Sequence, residues 1–458
     1  MVWHIIKGEN EKSLIRQHEK HGTFVRIGHK SVSVNEPDAV LSILQLPKLC
    51  SGEGRVGREI KSLRYLQNDW YKAMALPNRH FQSLMSEVNP VHCTTRKKKL
   101  QAGYAPKTVL KREHLLDDTI EQLEGWLDKL SKDEELVELG RWFNYTVFDI
   151  VGWMVFSRPF GFLAEGRDIQ GSIANTRQLS LYVPLAGYFP WIHNMTLGNP
   201  IIDGWNLTPS QHIFDTSRRA IRSRSAIQAS KEKPTEDDML DRWLRTKQEH
   251  PESHYDEMEI ETAGTSAIGA GADTTSAALQ AFFYYLLRSP EHLDRLRQEI
   301  DTAQSQGELS KIVSYEDVQE LPFLRACVQE TYRMHPSVSF PLPRVVQKGG
   351  LTVDGRHFAE GTSLCIHPWV IHRSEKAFDS DAKKFNPTRW LGPKAKALQR
   401  YMVHWGKGYN MCPGQHLADI EITKITTTLI RDYDFELVNP EQSGWSGPGS
   451  WLCLENGM

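Results

Sequence analysis

Trp405-Gly406-Lys407-Gly408-Tyr409-Asn410-Met411-Cys412-Pro413-Gly414 is a glycine-punctuated loop that runs into a segment with apolar residues at Ala418, Ile422, Ile425 and Leu429. That spacing is one face of a helix, and Pro413 suits its first turn, where a missing N–H costs nothing. Cys412 then sits beside a positive helix end, whose unpaired N–H groups favour an anion, so the thiol pKa is expected to fall. Gly408 and Gly414 leave room for a flat, bulky partner to approach the backbone. A soft anionic sulfur held on such a loop can act as a nucleophile or ligate a metal, haem iron included. A free Cys near a helix start can equally be an inert core residue.

The chain has 458 residues, 40% hydrophobic and 24% charged, with a formal net charge of -2. This is the composition of an ordinary globular protein, and it points to no nucleic-acid partner. Six cysteines are scattered without a CxxC pair or finger spacing (Cys50, Cys93, Cys327, Cys365, Cys412, Cys453), which argues against a disulfide framework or a zinc site. The N-terminus is soon charged, at Lys7, Glu9, Glu11 and Lys12, so the chain as given reads as soluble, without signal or anchor helix. Asn144, Asn194 and Asn206 open Asn-x-Thr triplets, which without a signal peptide read as chance.

Thr23–Gly28 and Ser31–Asn35 read as two short strands joined at His29-Lys30. From about Lys111 to Phe156 the period is helical, with Phe143, Val147, Ile150 and Met154 as a buried stripe. The polar stretch from Lys231 to Asp256, broken by Pro234 and Pro251, reads as surface linker and short helix. After Pro336, short apolar runs between prolines and glycines mark a second β region, near 340–390. Thr262–Leu287 carries one charge, Asp273. A membrane span there would strand that carboxylate, so a central buried helix is the better reading. Gly264, Gly269 and Gly271 each weaken the helix and should serve close approach or a kink.

Several short motifs carry chemistry. Ala270-Gly271-Ala272-Asp273-Thr274-Thr275 sets a carboxylate beside two hydroxyls, able to relay protons or simply to be solvated by buried water. Glu330 and Arg333 are three residues apart on a helix stopped by Pro336, either a surface ion pair or the start of a buried cluster that Arg389 could complete. His92 and Arg96 stand one helical turn apart and could reach the carboxylates of a ligand together. Lys97, Lys98 and Lys99 follow, a solvated face or a dock for an acidic partner.

Taken in this order and at these separations, the segments resemble the cytochrome P-450 family over nearly the whole chain. Phe148-Asp149-Ile150-Val151-Gly152 and Phe156-Ser157-Arg158-Pro159-Phe160-Gly161 look most like filamentous-fungal members of secondary metabolism. The resemblance implies a single catalytic domain over 1–458. Its fold would be mainly α with a smaller β region, holding haem b between a long central helix and the Cys loop. It implies Cys412 as the axial iron ligand, with Trp405, Gly408 and Gly414 shaping its loop and Ala270 and Gly271 on the facing helix. Asp273 and Thr274 would deliver protons to bound dioxygen, Glu330, Arg333 and Arg389 would form the structural cluster, and His92, Arg96 and Arg344 would contact the haem propionates. Two departures stand out: Trp405 replaces the usual Phe, and Asn410 replaces an Arg, so propionate neutralisation should lean on the other three groups.

The implied activity is a monooxygenase that takes electrons from NADPH through a separate reductase, which would meet the basic face of Lys97, Lys98, Lys99 and Lys407. Oxidative coupling, ring closure or desaturation is the enzymatic alternative, and a non-catalytic haem sensor or carrier the alternative of another class. By analogy the pocket walls come from Gln67–Pro90, Ser180–Pro200, Thr262–Gly269, Ser337–Leu342 and Gly444–Trp451. Their aromatics (Tyr71, Tyr182, Tyr188, Phe189, Trp445) and sparse charge suit an apolar small-molecule natural product. Fungal members usually begin with a membrane anchor and a proline-rich hinge, neither of which is read here. The resemblance therefore implies the cytosolic face of the endoplasmic reticulum for a full-length form.

Overall fold

The computed structural model describes residues 2–44, 65–75, 83–199, 201, 211–229, 237–251 and 255–438. Cys50, Asn206, Pro234, Cys453 and the expected wall segment Gly444–Trp451 with Trp445 lie outside them.

Strands β1 (Phe24–Arg26) and β2 (Ser31–Val34) pair antiparallel across the expected turn. The two β regions seen separately in the sequence meet in one five-stranded sheet. With β3 (Tyr65–Gln67), β4 (Leu342–Val346) and β7 (Ser363–Ile366), its order is β1-β2-β7-β4-β3. Only β2 and β7 run parallel, and Val34, Val346 and Ile366 bury its inner face. Between β4 and β7, strands β5 (Leu351–Val353) and β6 (Arg356–Phe358) form a separate hairpin. Its two turn residues, Asp354 and Gly355, both have positive φ, as a two-residue loop requires.

Helices make up most of the rest. Nine position the site: α1 (Pro90–Leu100), α2 (Glu113–Lys132), α3 (Leu139–Phe156), α4 (Ser172–Tyr188), α5 (Pro190–Met195), α6 (Met239–Glu249), α7 (Glu257–Leu287), α8 (Pro322–Met334) and α9 (Gln415–Asp432). Their starts follow capping chemistry. Asn89 accepts from the N–H groups of Val91 and His92 ahead of α1, and Asp256 accepts from Glu259 N at 2.7 Å ahead of α7. The helical stretch 111–156 is two helices, α2 and α3, and the stripe Phe143, Val147, Ile150 and Met154 is buried.

The long helix α7 runs unbroken for 31 residues through the main core, packed along α3. Its glycines serve close approach and not the kink that was the other expected use. A Cβ on Gly264 would come 3.2 Å from the Phe156 ring, and one on Gly271 3.3 Å from Val151, so these admit α3 closely. A Cβ on Gly269 would meet nothing within 4 Å, because that position faces an internal cavity. No described helix is long and apolar enough to cross a membrane, which removes the span reading of Thr262–Leu287.

The segment read as surface linker needs correction. Its helix, α6, is core structure: Met239, Leu240, Trp243 and Leu244 are buried, and Arg224 holds the buried carboxylates of Asp238 and Asp241 at 3.1 and 2.6 Å. The four apolar residues lie on one helical face, which average polarity conceals. The Phe148–Gly161 stretch also gains a physical reason. Asp149 accepts the N–H groups of Gly161 at 2.7 Å and Leu163 at 2.9 Å, closing the turn after α3, and a Cβ on Gly152 would strike the Arg158 carbonyl at 2.6 Å.

Candidate functional site

A cavity of about 450 Å3 lies between α7 and the Cys loop, predominantly apolar in lining. On one side is Cys412. Its N–H donates to the Trp405 carbonyl at 2.7 Å, and Gly406 and Gly408 take φ of +71° and +68°, so the loop folds back on itself at positions that favour glycine. Trp405, Asn410, Cys412 and Gly414 reach the cavity wall; Gly408 does not, and serves only the turn. Trp405 packs edge-on to Tyr332 of α8 at 5.1 Å between ring centroids.

Two expectations for this loop are corrected. Helix α9 begins at Gln415 behind Gly414, so Pro413 precedes the helix and is not in its first turn. The Cys412 thiol pKa is raised, not lowered. The N–H groups of Gly414 and Gln415 do reach the sulfur and Lys97 is near, and all three favour the thiolate, but burial outweighs them. A bound cation is what would reverse that balance.

Facing the cavity from α7 are Ala270, Gly271 and Thr274. The Thr274 hydroxyl donates to the Ala270 carbonyl at 2.7 Å, leaving its oxygen lone pairs as acceptors. Asp273 is almost fully buried and off the cavity wall. Desolvation pushes its pKa up to about 7, with Arg177 partly offsetting.

At the basic end the structure separates the expected pair. Arg96 reaches the wall, its guanidinium 3.7 Å from Glu87 and 3.6 Å from Glu259. His92 lies on the solvent side of α1, 66% exposed, and does not reach the wall. Their one-turn spacing sets both on one flank of α1, but only Arg96 is long enough to turn inward. Arg344, on β4, is buried at the wall and donates to Tyr71 Oη at 3.2 Å and to the Pro343 carbonyl. Among the described residues no carboxylate pairs with it. The lysine run is likewise not one open face: Lys97 donates to the Met411 carbonyl at 2.5 Å, and Lys99 is buried against Glu259 at 2.6 Å, leaving Lys98 exposed. Lys407 is only partly exposed, and burial lowers its pKa.

Behind the Cys loop, Glu330, Arg333 and Arg389 come together. Arg333 grips both carboxylate oxygens of Glu330 at 2.8 Å, Arg389 adds a bond at 3.1 Å, and Trp390 donates at 2.8 Å. Arg333 also donates to the carbonyls of His372, Ala382 and Lys384, so this fully buried pair is saturated with partners. Sequence reading missed His372, whose hydrogen bonds go to backbone groups, and Glu421, a buried acid on α9 at the cavity wall. The signal for Glu421 was a charge set between Ile420 and Ile422 on a buried stripe.

The remaining walls come from Tyr71, Met74, Leu179, Val183, Val338 and Leu342, with Thr262 to Gly269 above. Of the described aromatics expected to line it, only Tyr71 does. Tyr188 packs on Trp70 and Tyr182 donates to or accepts from His193, both away from the wall.

The fold and this cavity define a helical enzyme built around one large internal ligand site. The chain belongs to the cytochrome P450 family: the family model matches residues 7–447. Among its relatives are cytochrome P450 monooxygenases of Aspergillus flavus (29% identical, covering 96% of this chain and 85% of the relative), Emericella nidulans (30%, 95% and 85%) and Sarocladium schorii (31%, 96% and 85%). The mainly α fold, the membership and the oxidoreductase class are therefore as the resemblance implied, and the family carries haem. The residues present fit that group. A thiol opens on the cavity, a buried arginine at its edge lacks among the described residues a carboxylate of the kind a propionate would supply, and Gly269 faces free space where a side chain would intrude.

Proposed function

We propose that the chain is a single catalytic domain acting as a haem-thiolate monooxygenase on an apolar, uncharged small molecule. The observation that carries this reading is the Cys412 sulfur at the wall of an apolar cavity whose other wall is Ala270, Gly271 and Thr274 of α7. Cys412 would hold the iron, and Arg96, Arg344 and Asn410 the propionates. Haem ligated by a thiolate supplies activation of dioxygen and insertion of one oxygen atom into substrate. The chain's own part is to exclude water, orient substrate and manage protons. Thr274 offers acceptor lone pairs to a water in the cavity, and Asp273, whose pKa burial raises to about 7 so that it can both hold and release a proton near neutral pH, is the proton reservoir behind it. The Glu330–Arg333–Arg389 cluster would hold the Cys loop in place.

Electrons would come from NADPH through a separate flavin-containing reductase, and the protein would work at the cytosolic face of the endoplasmic reticulum. The fungal relatives support a role in secondary metabolism. Among the described residues, and apart from Glu259, Glu421 and the basic residues at the Cys-loop end, the cavity wall carries no charged side chain, which favours a neutral natural product. The test is reconstitution of the haem-loaded protein with reductase and NADPH, after a spectral screen for compounds that displace the iron-bound water. Substrate-dependent oxygen consumption and a product heavier by one oxygen are expected. Product of unchanged or reduced mass would instead mean coupling or desaturation, and haem binding without turnover a sensor or carrier. Cys412→Ser should abolish the thiolate-type carbonyl spectrum; its persistence would remove Cys412 as the ligand.

A further inference from the structure

Four hydroxyl groups on the cavity wall share one feature: their hydrogens are already spent on the protein. Thr176 of α4 donates to the Ser172 carbonyl at 2.9 Å, and Thr265 of α7 donates to the Glu261 carbonyl at 2.9 Å. Ser337 donates to the Thr274 carbonyl at 2.8 Å, as the Thr274 hydroxyl does to the carbonyl of Ala270. A hydroxyl that has given its one hydrogen to a carbonyl still offers lone pairs, so these groups face the cavity as acceptors. His193 adds no donor, because its ring nitrogens lie 2.9 Å from the Ala75 carbonyl and 3.0 Å from the Tyr182 hydroxyl. Ser266 is the exception: its hydroxyl has no partner among the described residues, so it can give as well as accept. The basic side chains at the Cys-loop end, Arg96 and Arg344, are those the propionates would occupy.

Resting on the monooxygenase reading, we propose that the cavity selects substrates that carry an O–H or N–H group, with Thr176 and Thr265 as the residues that read it. Such a donor meets a waiting oxygen on α4 or α7 without breaking any bond inside the protein. A substrate with acceptors alone, an ether or a ketone, must set its oxygen against these lone pairs or turn to Ser266. An acceptor taken out of water and left unpaired loses more than a made bond gains, so the preference comes chiefly from rejection. This narrows the neutral natural products to those with a free hydroxyl or N–H, a phenol or an indole for example. A reaction that caps the hydroxyl, such as O-methylation, would then follow this oxidation and not precede it.

The test uses matched probes: 2-naphthol, 2-methoxynaphthalene and 2-acetylnaphthalene, and the same three groups on biphenyl and fluorene frames. Equilibrium dialysis is run against the haem-loaded ferrous protein under carbon monoxide, which fills the open iron position and leaves discrimination to the wall. The hydroxyl compounds are expected to bind roughly fivefold tighter than their ethers, the net worth of one hydrogen bond, although the ethers are the more apolar. Thr176→Val and Thr265→Val keep the branched shape and remove the oxygen. At least one of them should bring the hydroxyl compounds down to their ethers while leaving the ethers unchanged, and the matching Thr176→Ser or Thr265→Ser, which restores an oxygen, should recover the preference. In Ser266→Ala, which removes the exception, the ketones should fall behind as the ethers do. Hydroxyl compounds that bind no more tightly than their ethers, ketones that keep pace in Ser266→Ala, or a preference untouched by both valine variants would each overturn the proposal. Failure of the monooxygenase reading would look different: wild type itself would show no thiolate-type carbonyl spectrum.

Discussion

Arg333 and His372 exchange two hydrogen bonds: Nη1 of the arginine donates to the histidine carbonyl at 2.6 Å, and Nδ1 of the imidazole lies 3.1 Å from the arginine carbonyl. The other ring nitrogen accepts the N–H of Val403 at 2.9 Å, two residues before Trp405. Because Nε2 accepts, the proton sits on Nδ1, and burial keeps the ring neutral by holding its pKa well below the ordinary value. One side chain thus joins the buried ion cluster to the start of the Cys loop.

His372→Leu should therefore strand the Val403 N–H and the Arg333 carbonyl, at a cost of about 1–3 kcal/mol for each group left buried without a partner. Urea unfolding would show the lower midpoint. Carbonyl spectra of the loaded protein should show a larger share of molecules with the thiolate displaced. His372→Gln, which can both donate and accept, should lie between. Equal stability and spectra in all three would mean that the cluster and the loop are independent.

The fold was legible where pattern and period coincide with burial. The β1–β2 hairpin, the α3 stripe and the face of α9 needed only local rules. What escaped were facts of orientation. The spacing of His92 and Arg96 sets both on one flank of α1 and says nothing of which reaches the cavity, and Asp273 and Thr274 are adjacent in sequence yet differently placed toward it. The sign of the Cys412 shift turned on a competition between helix N–H groups and burial, and burial is a tertiary quantity. Glu421 and His372 are hydrogen-bonded to Thr275 and Val403, partners far away in the chain.

Thr274→Ala removes the hydroxyl that bonds the Ala270 carbonyl and leaves the cavity wall otherwise intact. The expected outcome is NADPH consumption that continues while the product yield falls and peroxide appears. The yield per NADPH should drop by roughly tenfold or more, less than the roughly 100-fold or more typical of a lost acid–base group because water can partly replace the hydroxyl. Stoichiometric measurement of NADPH, peroxide and product checks this, and unchanged coupling would remove Thr274 from proton handling.

Of the three consecutive lysines only Lys98 is exposed, since Lys97 and Lys99 are engaged. Lys98→Glu should slow reduction by an acidic reductase severalfold at low salt, and the difference should shrink as ionic strength shortens the reach of exposed charge. Stopped-flow reduction across a salt series measures it. Lys99→Glu, by contrast, should mainly destabilise the protein, because it sets a second carboxylate against Glu259 in a buried place.

Far from the cavity, Glu11 is buried with Oε2 unpartnered among the described residues, and desolvation raises its pKa to about 7, with Lys12 and Arg373 partly offsetting. A carboxyl whose pKa is higher in the native state than in the unfolded one binds more protons when folded. Stability then falls as pH rises from about 4.5 toward 7 and levels off above that range. Glu11→Gln removes the ionisation. At pH 8 it should be more stable than wild type, by an amount on the order of 3 kcal/mol at most, whereas near pH 4 the two should be equal. Urea titrations at the two pH values decide the matter, and a variant no more stable at pH 8 would mean that Glu11 ionises freely in the folded protein.

Asn410 stands at the cavity wall with a buried side-chain carbonyl that has no partner among the described residues, where the resemblance expected an arginine. Arg96 shares its charge with Glu87 and Glu259, and Lys97 is tied to Met411, so Arg344 is the one buried cation there without a carboxylate among the described residues. Two propionates against one such cation leave negative charge undercompensated in a place of low dielectric. Asn410→Arg should therefore slow loss of haem to an apoprotein acceptor, while the carbonyl spectrum keeps its thiolate form because the sulfur is untouched. Arg344→Gln should speed the loss, and more so than Arg96→Gln, whose charge is already partly spent on two glutamates. Haem-loss rates that follow neither order would mean that the propionates are held by water and backbone instead of by these side chains.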